Sequence, residues 1–223
     1  MQKLASSSLQ DGSLILTDHQ TQGRGQRQTT WESAEGMNLT FTVALFPDLP
    51  VTEQFYLNIM TSLAITDSLQ KYVGDRLKIK WPNDIYFDQS KLCGILVQNN
   101  LKVNKIQSSA VGIGLNVNQT EFKDGRAASV KSVSGKSWDR MKLLRELVSA
   151  MEARYFQLKD QAFAKLRRAY LDRLFWKDEW HTYKDEAGVF RGVIIGLNES
   201  GQLMVQREDR LQAYSFKEVI FIE

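Results

Sequence analysis

Lys80-Trp81-Pro82-Asn83-Asp84, followed after a short gap by Lys91-Leu92-Cys93-Gly94, decides how the rest of the chain is read. The run gathers two lysines, an amide and a carboxylate between apolar segments at residues 77–79 and 95–97. Pro82 has no N–H to give to a sheet and drives the residue before it toward extended geometry, so the polar cluster belongs at a strand end or turn. Polar groups between buried strands are costly unless something binds them, and two cations beside an amide and an acid suit a carboxylate or phosphate. The competing reading is a solvated turn with scattered charges, and this stretch alone does not separate the two.

Working outward, short apolar runs predict strands at residues 13–17, 77–80, 85–87, 93–97 and 110–115, the first of them buried. An alternating strand is expected at 38–44, with Leu39, Phe41 and Val43 on one face. Pro47 and Pro50 precede a helix that Thr52 is placed to cap. Its apolar face is Phe55, Ile59, Met60, Leu63 and Leu69, and Gly74 marks its end. From Ser137 the period changes. Met141, Leu144, Leu147, Val148, Met151, Tyr155 and Leu158 predict a long amphipathic helix, and Phe163, Leu166, Tyr170 and Leu174 a second. After Trp176 short strands return, with turns at 185–188 and 198–201. The expected fold class is α/β (α+β): a mixed β-sheet catalytic domain with flanking helices over residues 1–176, and a small C-terminal β-barrel-like domain over 177–223.

Composition narrows the function classes. The chain has 223 residues, 43% hydrophobic and 25% charged, which is ordinary for a globular protein. Its net charge of +3 gives no argument for nucleic acid. No apolar run has transmembrane or signal-peptide length, so no membrane partner is expected. Cys93 is the only cysteine and can form no internal disulfide, which makes the cytoplasm the expected location. His19 and His181 lack ligand spacing, so no protein metal site is expected.

Two further stretches carry chemistry. Residues 20–31 read Gln-Thr-Gln-Gly-Arg-Gly-Gln-Arg-Gln-Thr-Thr-Trp. Gly23 and Gly25 allow close backbone approach, and Arg24 and Arg27 bring forked donors for phosphate or carboxylate. The loop is neither a dinucleotide fingerprint nor a Walker loop, and by itself a surface turn explains it as well. In Gly112-Ile113-Gly114-Leu115-Asn116-Val117-Asn118, the strand glycines leave room for a ligand or for a crowded sheet crossing.

Taken in order, Gly23-Arg24-Gly25 with Trp31, then residues 80–84 with Lys91 and Gly94-Ile95-Leu96, then residues 112–118, resemble the biotin protein ligase family over roughly residues 14–120. The form resembled lacks the N-terminal DNA-binding domain, so no DNA partner is expected. The resemblance implies ATP-dependent ligation of biotin, through biotinyl-5′-AMP, to one lysine of a biotin carboxyl carrier domain. ATP and biotin are then substrates, and Mg²⁺ accompanies them. It implies that Lys91, Arg27 and Asp84 are catalytic, with Lys91 holding the biotin carboxylate or acyl phosphate, Arg27 meeting phosphate, and Asp84 activating the incoming lysine or helping place Mg²⁺. The biotin pocket would draw on Gln20, Gly23, Arg24, Gly25, Trp31, Lys91, Gly94, Gly112 and Gly114. The nucleotide side would draw on Gln26, Arg27, Trp31, Lys80, Asn83 and Asn116. Members of the family often dimerise, so a homodimer is a further expectation.

The chain departs from the family pattern twice. Gln26, Gln28 and Thr29 stand where Arg, Gly and Arg are commoner, which implies weaker retention of biotinyl-AMP. The usual Ser-Thr-Asn motif that binds the ureido ring has no comfortable match before Leu14, since Ser6 to Ser8 lie too close to Gln20. Weaker biotin affinity is expected from that loss. Rival readings are a lipoate or octanoyl ligase or transferase, and a truncated, non-catalytic binder of biotin or carrier.

Overall fold

The computed structural model describes residues 9–20, 31–123 and 125–222. Its larger sheet has the strand order β1 (Leu14–Thr17), β2 (Leu39–Leu45), β7 (Lys105–Leu115), β6 (Ser90–Lys102), β5 (Asp84–Phe87) and β4 (Leu77–Lys80), with β3 (Leu49–Pro50) also pairing β7. All of these ladders are antiparallel. Parallel contacts in this sheet are isolated bridges, Ile79 to Leu174 and Lys91 to Ala127. The α/β layout expected from sequence therefore holds. β1, expected to be buried, lies at the sheet edge with Ile15 53% exposed.

Alternation separates the two faces of this sheet. Leu39, Phe41 and Val43 of β2, Cys93 and Ile95 of β6, and Val111, Ile113 and Leu115 of β7 are buried and belong to the core. Helix α1 (Tyr56–Val73) packs into that core and is buried on almost every side. Three of its hydroxyls donate back to the helix's own carbonyls, Thr61 Oγ1 to Leu57 at 2.7 Å, Thr66 Oγ1 to Ser62 at 3.0 Å and Ser68 Oγ to Ile65 at 2.9 Å. Thr52 does not cap it. That residue lies in a single 3₁₀ turn, Val51–Glu53, and the α-helix starts after Phe55 without a side-chain cap. Gly74 ends the helix at φ 82°, a conformation glycine adopts without a Cβ clash.

A short helix α2 (Val130–Ser134) begins with a capping box between Ser129 and Ser132. Helix α3 (Arg140–Lys159) starts at Asp139, whose carboxylate accepts from the backbone N–H groups of Met141 and Lys142. Those backbone hydrogen bonds hold the Asp139 carboxyl below its ordinary value. The buried stripe of α3 runs through Leu143, Leu144, Leu147, Met151, Tyr155 and Leu158, whereas Met141 and Val148 face solvent. Helix α4 (Phe163–Leu171) follows, and Leu174 lies beyond its end, bridged to β4.

The second sheet has the order β11 (Leu211–Tyr214), β10 (Leu203–Arg207), β9 (Gly188–Leu197), β8 (Trp180–Asp185) and β12 (Ile220–Ile222), again antiparallel. Its turns fall where the sequence placed them. One face, with Tyr183, Phe190, Ile194, Leu203, Val205 and Tyr214, joins the same hydrophobic core as the larger sheet.

Candidate functional site

The face of the larger sheet opposite α1 carries a row of directly paired residues across five strands: Asp84, Gly94, Gly114, Thr40 and Thr17. Its two central positions have no side chain. The Trp31 indole lies in the gap this leaves, so that a Cβ added to Gly114 would come within 2.7 Å of Cζ2 and 2.8 Å of Nε1. At Gly94 the same addition would meet Trp31 Cζ3 and Lys91 Nζ, each at 3.4 Å. Gly112 continues the floor, next to Thr42 and the Leu96 carbonyl. The result is a shallow trough floored by backbone.

One end of the trough is charged. Lys91 Nζ lies 2.8 Å from Asp84 Oδ1, and 5.9 Å from the centre of the Trp31 ring. The two residues meet because β5 and β6 form a hairpin whose register shifts between Ile85 and Tyr86. Near Gly114, Trp31 Nε1 and Thr40 Oγ1 are buried without hydrogen-bond partners. A buried polar atom in that state costs about 1–3 kcal/mol, which a polar ligand would recover. An acid suits these groups with its carboxylate toward Lys91 and its chain along the Trp31 ring that lies over Gly94 and Gly114.

The nucleotide-side residues are placed differently. Lys80 sits in β4, with Nζ 3.3 Å from Tyr86 Oη and over the rings of Tyr86, Phe175 and Phe221. Burial lowers its pKa to about 8, opposed by Asp84 and reinforced by Arg126 and Lys91. Asn83 and Asn116 use their amide nitrogens to hold backbone. Asn83 Nδ2 donates to the Ile95 carbonyl at 2.7 Å, and Asn116 Nδ2 to that of Ala128 at 3.0 Å. The Asn116 Oδ1 atom is buried without a partner. Gln20 follows β1 at the sheet edge. Gly23, Arg24, Gly25, Gln26 and Arg27 lie outside the described residues, as do Ser6 to Ser8, Gln28 and Thr29.

A buried polar stitch ties the segment after Trp31 to the end of β7. Gln119 Oε1 accepts from Asn38 Nδ2 at 2.6 Å and from the Ala34 N–H at 2.9 Å, while Asn38 Oδ1 accepts from the Val117 N–H at 2.9 Å. Farther along, Lys123 N–H donates to Glu32 Oε2 at 3.2 Å. The chain then returns beside Lys91, whose backbone N–H and carbonyl bond to Arg126 and Ala128.

A model of the biotin/lipoate A/B protein ligase family matches residues 1–116, just over half of the chain. The chain belongs to that family. Among similar proteins, the bifunctional ligase/repressor BirA of Bacillus spizizenii is 27% identical over 94% of the chain, which spans 66% of that relative. The biotin–[acetyl-CoA-carboxylase] ligase of Paracoccus denitrificans is 29% identical over 93% of the chain and 89% of the relative. A solved biotin protein ligase of Aquifex aeolicus, in complex with biotin and ATP, superposes with a TM-score of 0.81 at 26% identity, covering 98% of this chain and 92% of that one.

Some residues of this ligase-family site had no motif to announce them. Thr40 and Thr42 were legible as the polar side of an alternating strand, although the sequence did not show that glycines would face them. Arg126 and Gln119 sit in an irregular stretch whose pairing with Lys91 and Asn38 is non-local, and no sequence signal marks them. Cys93 carries no chemistry, since it is fully buried and burial pushes its thiol pKa up.

Proposed function

We propose that this chain ligates biotin to protein: it joins the biotin carboxylate to the α-phosphate of ATP, releasing pyrophosphate, and passes the biotinyl group from biotinyl-5′-AMP to a lysine of a carboxyl carrier domain. The observation that carries this reading is the Lys91 ammonium held by Asp84 at the end of the glycine-floored trough, in a chain of this family. Joining two anions requires cations where they meet, and Lys91 is placed to neutralise the carboxylate and the acyl phosphate formed from it. Asp84 keeps that ammonium aimed and, when the carrier lysine arrives, is the carboxylate nearest to accept its proton. In this reading Gln26 and Arg27 serve the phosphate side, and Gln20, Gly23, Arg24, Gly25 and Trp31 the biotin pocket. Lys80, Asn83 and Asn116 support the nucleotide side, two of them through the backbone they brace.

Among the described residues no group of three His, Cys, Asp or Glu side chains converges to hold a metal ion. A single carboxylate at the site suits Mg²⁺ that arrives on the triphosphate and keeps most of its ligands from phosphate and water. Bound there, Mg²⁺ would neutralise phosphate charge.

Residues 177–223 are proposed as a small unit built onto the catalytic part. Among the described residues β1 is an edge strand, and a second copy pairing there is the homodimer this reading proposes. No helix among the described residues is long and apolar enough to cross a membrane. The cytoplasm is the proposed location, and the modest charge of +3 supports no DNA partner.

ATP–pyrophosphate exchange with biotin, lipoate and octanoate tests the reading. Exchange driven by biotin alone supports it. Exchange driven by lipoate or octanoate replaces the substrate. Absence of exchange with measurable biotin binding would leave a binder in place of an enzyme.

A further inference from the structure

The row of paired residues that crosses the trough runs on into one more strand, because Lys80 of β4 is directly paired with Asp84 of β5. Directly paired residues share a face of the sheet, so Lys80, Asp84 and Gly94 lie side by side, with Lys91 Nζ 2.8 Å from Asp84 Oδ1. A third cation comes from outside the sheet. β7 ends at Leu115, opposite Cys93, and the segment at 126–128 takes its place beside Lys91. The Lys91 N–H donates to the Arg126 carbonyl at 2.8 Å, and the Ala128 N–H donates to the Lys91 carbonyl at 2.9 Å. The Arg126 side chain is exposed, and its charge is felt at Lys80. Burial pushes the Lys80 pKa down to about 8; Asp84 opposes that shift, and Arg126 and then Lys91 add to it.

Charge decides what this cluster suits. Among the described residues Lys80, Lys91 and Arg126 gather around one carboxylate, Asp84. Like charges gathered this way repel, and an arriving carboxylate with a single charge would leave the cluster positive. A polyphosphate would not. Of the three cations, Lys91 is held by Asp84, and Lys80 lies over the rings of Tyr86, Phe175 and Phe221. Arg126 is the most exposed member, and its planar fork matches two phosphate oxygens where an ammonium meets them as a point charge.

We propose that Arg126 is a pyrophosphate-binding residue: its guanidinium takes the β- and γ-phosphates of ATP beyond the Lys91 end of the trough and holds the pyrophosphate that departs. This inference rests on the proposed function, because it assigns a further residue to that same site. In the first half-reaction a carboxylate oxygen forms the new bond to the α-phosphorus, the bond from that phosphorus to the bridging oxygen breaks, and pyrophosphate leaves with the electron pair. Negative charge grows on the leaving group as that bond breaks, and a fixed cation there lowers the barrier. The backbone link between Lys91 and Arg126 sets the two cations side by side, one for the carboxylate and one for the leaving group.

The test uses the full chain with Arg126→Gln and, separately, Arg126→Lys. Both keep the backbone carbonyl that holds the Lys91 N–H, so they report on the side chain. With Mg²⁺ held constant, ATP–pyrophosphate exchange gives separate KM values for pyrophosphate and biotin. Arg126→Gln should raise KM for pyrophosphate about tenfold or more and leave that for biotin within about twofold. Arg126→Lys should recover part of the loss, since it keeps the charge without the fork. Added salt should raise the pyrophosphate KM more steeply in wild type than in Arg126→Gln. An unchanged pyrophosphate KM in Arg126→Gln overturns the assignment. So does an equal rise in both KM values, which would make Arg126 a support for Lys91 alone. Absence of exchange in wild type with biotin, lipoate and octanoate overturns the proposed function instead. Calorimetric titration with magnesium pyrophosphate then decides the inference separately: binding about tenfold weaker in Arg126→Gln upholds it, and equal binding overturns it.

Discussion

Asp84 and Lys91 are close in sequence, yet their contact depends on the register shift that lets β6 carry Lys91 back over Gly94. The glycines matter as absences. Gly114→Ala would put a methyl group where the Trp31 ring now sits, and the backbone there is held between β2 and β6. The expected outcome is a KM for biotin raised about tenfold or more, the usual cost of one methyl group misplaced in a binding pocket. Because the trough lies on the face away from α1, Tm should move by less than about 4 °C. A normal KM in this variant would remove Gly114 from the site. Lys80 gives a second residue-scale prediction. Its folded pKa is about 8 against an ordinary 10.5, so in this interval the unfolded chain binds the proton and the folded chain does not. Stability attributable to this lysine must therefore rise as pH climbs above about 8 and level off above 10.5. Unfolding of wild type and Lys80→Met at a series of pH values should show wild type gaining relative to the variant between pH 8 and 10. A relative loss over that range would contradict the burial argument.

At the scale of elements, the sequence showed most clearly what apolar periodicity can encode. The alternating faces of β2 and the stripe of α3 follow from it. The length of β6 and β7 does not: residues 98–100 and 107–109 are polar, and backbone pairing, the Ser109 Oγ to Asn99 Oδ1 hydrogen bond and the buried Ile106 carry these strands beyond their apolar centres. β1 read as buried because Leu14-Ile15-Leu16 is uniformly apolar, but its edge position leaves Ile15 exposed. The candidate site was legible as motifs, whereas its geometry was not, since the row Asp84–Gly94–Gly114–Thr40 is a product of register. The Gln119 stitch belongs to this class of non-local contact. Gln119→Leu removes the acceptor for two donors, Asn38 Nδ2 and the Ala34 N–H. Asn38 Nδ2 keeps Ser33 Oγ at 3.2 Å, so the Ala34 N–H is the donor left without this partner, at a cost of about 1–3 kcal/mol. At about 2–4 °C per kcal/mol for a chain of this length, Tm should fall by roughly 2–12 °C. If the stitch also positions Trp31, biotin KM should rise in the same variant at temperatures where it remains folded. A lower Tm with unchanged KM would confine Gln119 to stability.

At the scale of the whole molecule, the sequence reads as two parts, but the core does not stop between them. Trp81, inside the motif that opens the site, donates its indole N–H to the Gly201 carbonyl at 3.0 Å, in the turn between β9 and β10. Arg167 of α4 donates to the Asn198 carbonyl at 2.8 Å, and the rings of Trp176, Tyr183 and Phe221 pack against one another across the proposed boundary. Residues 177–223 bury too little on their own to outweigh the entropy of ordering them, so their stability must be drawn from this shared core. Calorimetry should accordingly give one transition whose calorimetric and van't Hoff enthalpies agree. Trp81→Phe keeps most of the ring's packing and removes its hydrogen bond, leaving the Gly201 carbonyl without that donor. The loss should amount to about 1–3 kcal/mol and lower Tm for both sheets together. Two resolved transitions in wild type would make the C-terminal sheet an independent domain. A Trp81→Phe variant that splits a single transition into two would instead identify this one hydrogen bond as the link that makes the motif at 80–84 both part of the proposed site and the hinge between the sheets.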